Sequence, residues 1–204
     1  MNEIERRFLD TGKIELRKAS ADRATQTVRG YAAKFNTLSV PMFGFREQIA
    51  PGAFDGVLAD DVRALFNHDP NFVLGRTLSG TCRISVDDTG LQYEIDLPDT
   101  NCARDLREAI TRGDVSQSSF AFSVAPNGDT WDENEDGVIV RTITKFGRLY
   151  DVSPVTYPAY PDATVGMRSL EQWKSTREAQ SSRANADEIK RRAASRARHL
   201  ALHR

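Results

Sequence analysis

The sequence is poor in sulfur and histidine and has no long apolar run, and each shortage removes a class of protein. Its 204 residues include 2 cysteines, Cys82 and Cys102. Two thiols are too few for a disulfide framework, and without a Cys-x-x-Cys spacing they form no zinc site, so a reducing compartment suits them. No stretch approaches the roughly 18 consecutive apolar residues of a membrane span. The start, Met1 to Asp10, carries charges where a secretory signal needs its apolar segment. A soluble, unexported protein with no membrane partner is expected. No Gly-x-Gly-x-x-Gly or Gly-x-x-x-x-Gly-Lys pattern occurs, so nucleotide hydrolysis has no support and no cofactor is expected. With 39% hydrophobic residues, 28% charged residues and a net charge of -1, bulk disorder and wholesale polyanion binding are also excluded.

That average hides a partition. Residues 1–167 hold 18 Lys+Arg and 25 Asp+Glu, whereas 168–204 hold 10 and 4, a body of -7 and a tail of +6. All 13 glycines and all 8 prolines fall at or before Gly166. The tail therefore lacks turn punctuation and is rich in residues that favour helix. Two parts are expected, a folded domain over 1–167 and a basic tail over 168–204. In the tail Ile189, Ala193, Ala197 and Leu200 form a thin apolar stripe. An alanine stripe buries little area, which favours a solvated extension over a docking or nucleic-acid-binding helix.

The body reads mainly as short strands: Thr27 to Phe35, Arg63 to Asn67, Cys82 to Val86, Leu91 to Leu97, Val115 to Val124, Val138 to Ile143 and Leu149 to Val155. Asp87-Asp88-Thr89-Gly90 joins two of them as a hairpin. Asn101 as N-cap, Leu106 and Ile110 four apart, and Gly113 as terminator predict one helix. Many short strands around few helices argue for an α+β, β-rich fold, an antiparallel barrel or sandwich with helices attached.

Of 3 histidines, His199 and His203 lie in the tail, so any histidine chemistry in the body must use His68. It ends a strand just before Asp69-Pro70, where the chain must turn; a hydrogen-bonded histidine of no special role is the plainer alternative. Strand alternation places Ser116 and Ser118 with Phe120 and Phe122, facing the core, and sets Ser119 on the other face with Gln117, Ala121 and Ser123. Ser119 is the better nucleophile candidate, against the plainer alternative of a polar strand start. Asp151 is a lone carboxylate in an apolar strand and needs a partner. Serine, imidazole and carboxylate together suit covalent catalysis, with Ser119 as nucleophile, His68 as base and Asp151 as orienter. A structural pair between Asp151 and Arg148 or Arg141 is the alternative.

Asp132 to Gly137 matches the first six positions of a calcium-binding loop, but position 12 is Ile143 instead of a bidentate glutamate. An acidic hairpin turn between Trp131 and Val138 is the expectation, with no metal site.

Six segments, Val28–Asn36, Glu47–Phe54, Leu65–Asp69, Leu74–Thr77, Arg112–Phe122 and Asp151–Ala159, in that order and spacing, carry a resemblance across about residues 5–167. The chain resembles the prohead (capsid-maturation) serine proteases of tailed bacteriophages, themselves distantly similar to the herpesvirus assemblin proteases. In that family the histidine follows a strand, as in Asn67-His68-Asp69, and the serine precedes a Phe-Gly-Phe-like triplet, which maps it to Ser119. Here Ala121 stands where glycine is usual, and Ser116 and Ser118 compete with Ser119. The assemblins use a second histidine, which this body lacks; the carboxylate of the phage enzymes maps by segment order to Asp151. The resemblance implies a small antiparallel β-barrel surrounded by helices and a serine endopeptidase acting in the host cytoplasm, inside the assembling prohead. It implies the major capsid protein and its scaffolding segment as substrate partners, self-association, and self-cleavage that could remove the tail. A non-catalytic assembly or scaffolding protein that keeps the fold is the competing expectation.

Overall fold

Alternation is clearest in the strand Gly90–Asp96, where Leu91, Tyr93 and Ile95 are buried and Gln92, Glu94 and Asp96 between them are only half-buried. In a computed structural model, which describes residues 4–8, 14–17, 26–42, 44–157 and 163–202, this strand is β8. It follows β1 (Glu5–Phe8), β2 (Glu15–Arg17), β3 (Thr27–Lys34), β4 (Arg46–Ile49), β5 (Arg63–Phe66), β6 (Asp69–Arg76) and β7 (Cys82–Val86). After it come α1 (Asn101–Arg112), β9 (Gln117–Val124), β10 (Asp129–Glu133), β11 (Ile139–Ile143), β12 (Phe146–Val155) and α2 (Ala163–Leu202). As the sequence predicts, β7 and β8 form a hairpin, its turn held by Asp87 Oδ1, which accepts from the backbone N–H groups of Thr89 and Gly90.

The helix α1 begins one residue earlier than its side chains suggest. Its N-cap is Thr100, in extended conformation with its hydroxyl accepting from Ala103 N–H, and the Asn101 side chain turns instead to Arg104. Gly113 closes it in the left-handed conformation (φ 85°), as expected of a C-terminal glycine. Ala103 and Leu106 are its buried residues.

The strands form three sheets: β1-β9-β12-β5-β6, β10-β11-β4 and β2-β3-β8-β7. The fold is β-rich α+β, but among the described residues the sheets are open and do not close into the barrel that the resemblance implies. Two pairings, β12 with β5 and β11 with β4, are parallel, so the chain crosses between sheets instead of winding as successive hairpins, and β1 and β6 remain as edges. Nor is there a shell of helices: α1 is the one helix described before residue 163. Phe54, Phe120, Phe122 and Phe146 stack in the core, with ring centroids 4.4 to 6.0 Å apart.

The chain divides into two units, Met1–Ala163 and Thr164–Arg204. The second consists largely of α2, which follows the helix-favouring composition of the tail. Ile189 is 68% exposed; the side chains of Ala193, Ala197 and Leu200 lie outside the described residues. Among the described residues no helix is long and apolar enough to cross a membrane.

Candidate active site

Strands β5 and β6 join through two residues, Asn67 and His68, with Phe66 paired to Asp69. Both turn residues have positive φ, 55° and 57°, the left-handed pair of a type I′ hairpin. Both residues carry a Cβ that disfavours this region, which asparagine tolerates best because its short polar side chain can hydrogen-bond locally. The turn is tied to β12 and the residue just beyond it. Asn67 N–H donates to Pro154 O (3.0 Å), Asn67 Oδ1 accepts from Thr156 N–H (2.8 Å), and Asn67 Nδ2 donates to Thr156 Oγ1 (3.2 Å).

Strands β9 and β12 run antiparallel, with Ser119 opposite Ser153 and Ala121 opposite Asp151. Residues two apart share a face, so all four side chains point to one side, and the small Ala121 leaves room beside the carboxylate. The imidazole of His68 bridges the diagonal: Nδ1 lies 2.6 Å from Asp151 Oδ1 and Nε2 lies 2.6 Å from Ser119 Oγ. The structure thus brings together all three residues singled out from the sequence.

Other groups join them that the sequence reading missed. Ser153 Oγ donates to the same Asp151 Oδ1 at 2.9 Å, and Ser119 Oγ also approaches Arg7 O on β1 at 3.0 Å. Period-two alternation was a signal for Ser153, since it lies two residues from Asp151; nothing local marks Arg7. The face of Ser119 is largely buried, and Ser119 itself is 0% exposed beside β1.

Asp151, ionised, only accepts, which assigns the imidazole proton to Nδ1 and leaves the Nε2 lone pair facing Ser119. The serine has one proton and two acceptors. A neutral imidazole receives it at Nε2; an imidazolium donates to Oγ, whose proton then turns to the Arg7 carbonyl. The arrangement can therefore withdraw a proton from a hydroxyl and hold the resulting imidazolium against a carboxylate.

The competing assignments fall to other partners. Ser118 Oγ pairs with Tyr93 Oη at 2.7 Å on the opposite, buried face, and Ser116 is exposed just before β9. The Tyr93 hydroxyl fits because position 30 is glycine; a Cβ there would come within 2.7 Å of it. Burial pushes the Tyr93 hydroxyl well above its ordinary value, against the smaller opposing effect of Ser118. Arg148 lies over the Tyr150 ring at 5.1 Å. Arg141 is buried in an ion cluster, donating to Glu5 Oε2 (2.9 Å), Glu47 Oε2 (2.9 Å) and Asp129 Oδ2 (2.7 Å), while Arg7 Nε donates to Glu47 Oε1 (2.8 Å). Burial opposes the charge on Arg141, but Glu47 and then Glu5 outweigh it and raise its pKa. This cluster ties β1 to β4 and β11.

The acidic segment is a hairpin turn between β10 and β11, with Asn134 Oδ1 accepting from the N–H groups of Asp136 and Val138. Ile143, at the twelfth loop position, is wholly buried in the core. Among the described residues, no three His, Cys, Asp or Glu side chains are grouped to hold a metal ion.

A sequence profile of the family described as Caudovirus prohead serine protease matches residues 12–177. No curated protein matches the chain. Among solved structures, the capsid assembly protease gp21 of bacteriophage T4 is similar with a TM-score of 0.49 and 10% identity, over 76% of this chain and 98% of that one.

Proposed function

The chain belongs to the caudovirus prohead serine protease family, and from that premise we propose that it cleaves the major capsid protein, or its scaffolding segment, through Ser119, His68 and Asp151. The observation that carries this reading is the continuous pair of 2.6 Å contacts from Ser119 Oγ through the His68 ring to Asp151.

In this reading Ser119 Oγ attacks the scissile carbonyl carbon while its proton passes to His68 Nε2, and the carbonyl oxygen takes the negative charge. Collapse breaks the C–N bond, and His68 returns the proton to the leaving amine. Water then attacks the acyl ester, giving its proton to Nε2, and the second collapse restores the Ser119 hydroxyl. Asp151 holds Nδ1–H throughout and stabilises the imidazolium; acid–base transfer of this kind contributes about 10² to 10⁴-fold.

The setting we propose is the interior of the assembling prohead in the host cytoplasm. The protease domain extends to residue 167, and the basic tail from 168 is a docking or packaging segment removed by self-cleavage. A tail-deletion variant that enters proheads and processes them normally would sink that role. The activity is tested by co-expression with the cognate capsid protein, following subunit mass in native protein, Ser119→Ala and His68→Ala. Trimming by the native protein alone, with both variants folded, is the expected result. Trimming that persists in Ser119→Ala moves the nucleophile elsewhere, and no trimming by the native protein favours a non-catalytic assembly role.

A further inference from the structure

The imidazole of His68 is carried on a turn that depends on its neighbour. A histidine at φ 57° is unfavourable on its own and persists only where surrounding contacts over-determine it. Those contacts come from Asn67, whose backbone N–H and both side-chain polar atoms all bond to Pro154 and Thr156. They reach Pro154 on β12 and Thr156 just beyond it, and β12 is the strand that carries Asp151 and Ser153. The turn bearing the imidazole is therefore fastened to the chain bearing its carboxylate, three and five residues beyond Asp151, where a small rotation of the turn would swing Nε2 away from Ser119.

We propose that Asn67 is a positioning residue for His68: its side-chain bonds to Thr156 fix the imidazole between Asp151 and Ser119, a role that rests on the reading of Ser119 as nucleophile. Asparagine serves two purposes here, tolerance of the left-handed region and the side-chain tie, and these can be separated. Glycine adopts positive φ without steric cost, so Asn67→Gly keeps the turn and removes only the tie. Asn67→Asp keeps an oxygen to accept from Thr156 N–H and loses the amide donor.

The test uses the full chain and a fluorophosphonate probe, which phosphonylates an activated serine: Oγ bonds to phosphorus, fluoride leaves, and the hydroxyl proton passes to the imidazole. Native protein should label and Ser119→Ala should not. Asn67→Gly should melt close to the native temperature yet label about 10- to 100-fold more slowly at saturating probe, with the half-saturating concentration unchanged. Asn67→Asp should recover part of the rate. A merely structural role would lower the melting temperature and leave the saturating rate alone, and a native rate in folded Asn67→Gly overturns the proposal. If Asn67→Gly does not fold, Thr156→Val removes only the Oγ1 acceptor; slower labelling supports the tie and a native rate overturns it. Labelling of Ser119→Ala equal to native would instead remove the nucleophile reading, and the positioning role with it.

Discussion

Ser153 and His68 share a single oxygen of Asp151, the hydroxyl at 2.9 Å and the imidazole Nδ1 at 2.6 Å. The carboxylate is thus held from within its own strand as well as by the imidazole. A hydrogen bond to a charged group is worth about 1.5–3 kcal/mol. If it is expressed in the transition state, Ser153→Ala should lower kcat by about tenfold or more with KM nearly unchanged. Steady-state kinetics on the capsid subunit check this; a lower melting temperature with native kcat would reduce Ser153 to a packing role.

The ion cluster behind Ser119 makes a different prediction. Arg141 is the hub between Glu5, Glu47 and Asp129, and deleting it leaves the two buried carboxylates, Glu5 and Glu47, sharing the single cation of Arg7. Arg141→Met should cost about 3–5 kcal/mol of stability, measured by denaturant unfolding. A loss below about 1 kcal/mol, the range of an exposed pair, would show that the cluster is hydrated in solution.

What the sequence made legible was local. The alternation of Leu91, Tyr93 and Ile95, the closing Gly113 and the face of Ser119 all follow from periods of two or from single-residue conformational preference. The need of Asp151 for a partner was also legible, because a carboxylate in an apolar strand is costly alone. The choice between His68 and an arginine was not. It depends on Arg141 being claimed by Glu5, 136 residues away, through pairings of β1 and β4 that no local pattern encodes. Sheet closure is equally non-local, so no local pattern told the open sheets from the expected barrel. The left-handed Asn67–His68 turn was hidden for the same reason: its support comes from Pro154 and Thr156.

Alkaline pH should weaken the fold. Burial pushes the Cys82 thiol from its ordinary 9.0 up to about 12, with Arg83 opposing and Asp96 adding to it, and burial also raises Tyr93. Above about pH 9 for Cys82 and pH 10 for Tyr93 the unfolded chain releases these protons while the folded chain retains them, so the unfolded state binds fewer. The contribution is fully present below pH 9 and is lost as pH rises toward 12. Urea midpoints measured from pH 8 to 11 should fall, and Cys82→Ala should flatten the fall whatever its own stability. Parallel pH dependences in the two proteins would contradict the assignment.

The Tyr93–Ser118 pair separates the two adjacent serines by thermodynamics as well as by activity. Both hydroxyls are buried and each is the partner of the other, 2.7 Å apart. Ser118→Ala strands the tyrosine hydroxyl, and Tyr93→Phe strands the serine, each at a cost of about 1–3 kcal/mol. Removing both strands neither, so the double variant should lose less than the sum of the single losses, a coupling that a double-mutant cycle reads directly. Ser118→Ala should also process the capsid subunit at a rate close to native, because its hydroxyl faces away from His68. Additive losses would show that the pair does not bond in solution, and loss of processing in a folded Ser118→Ala protein would place the nucleophile on the wrong side of β9.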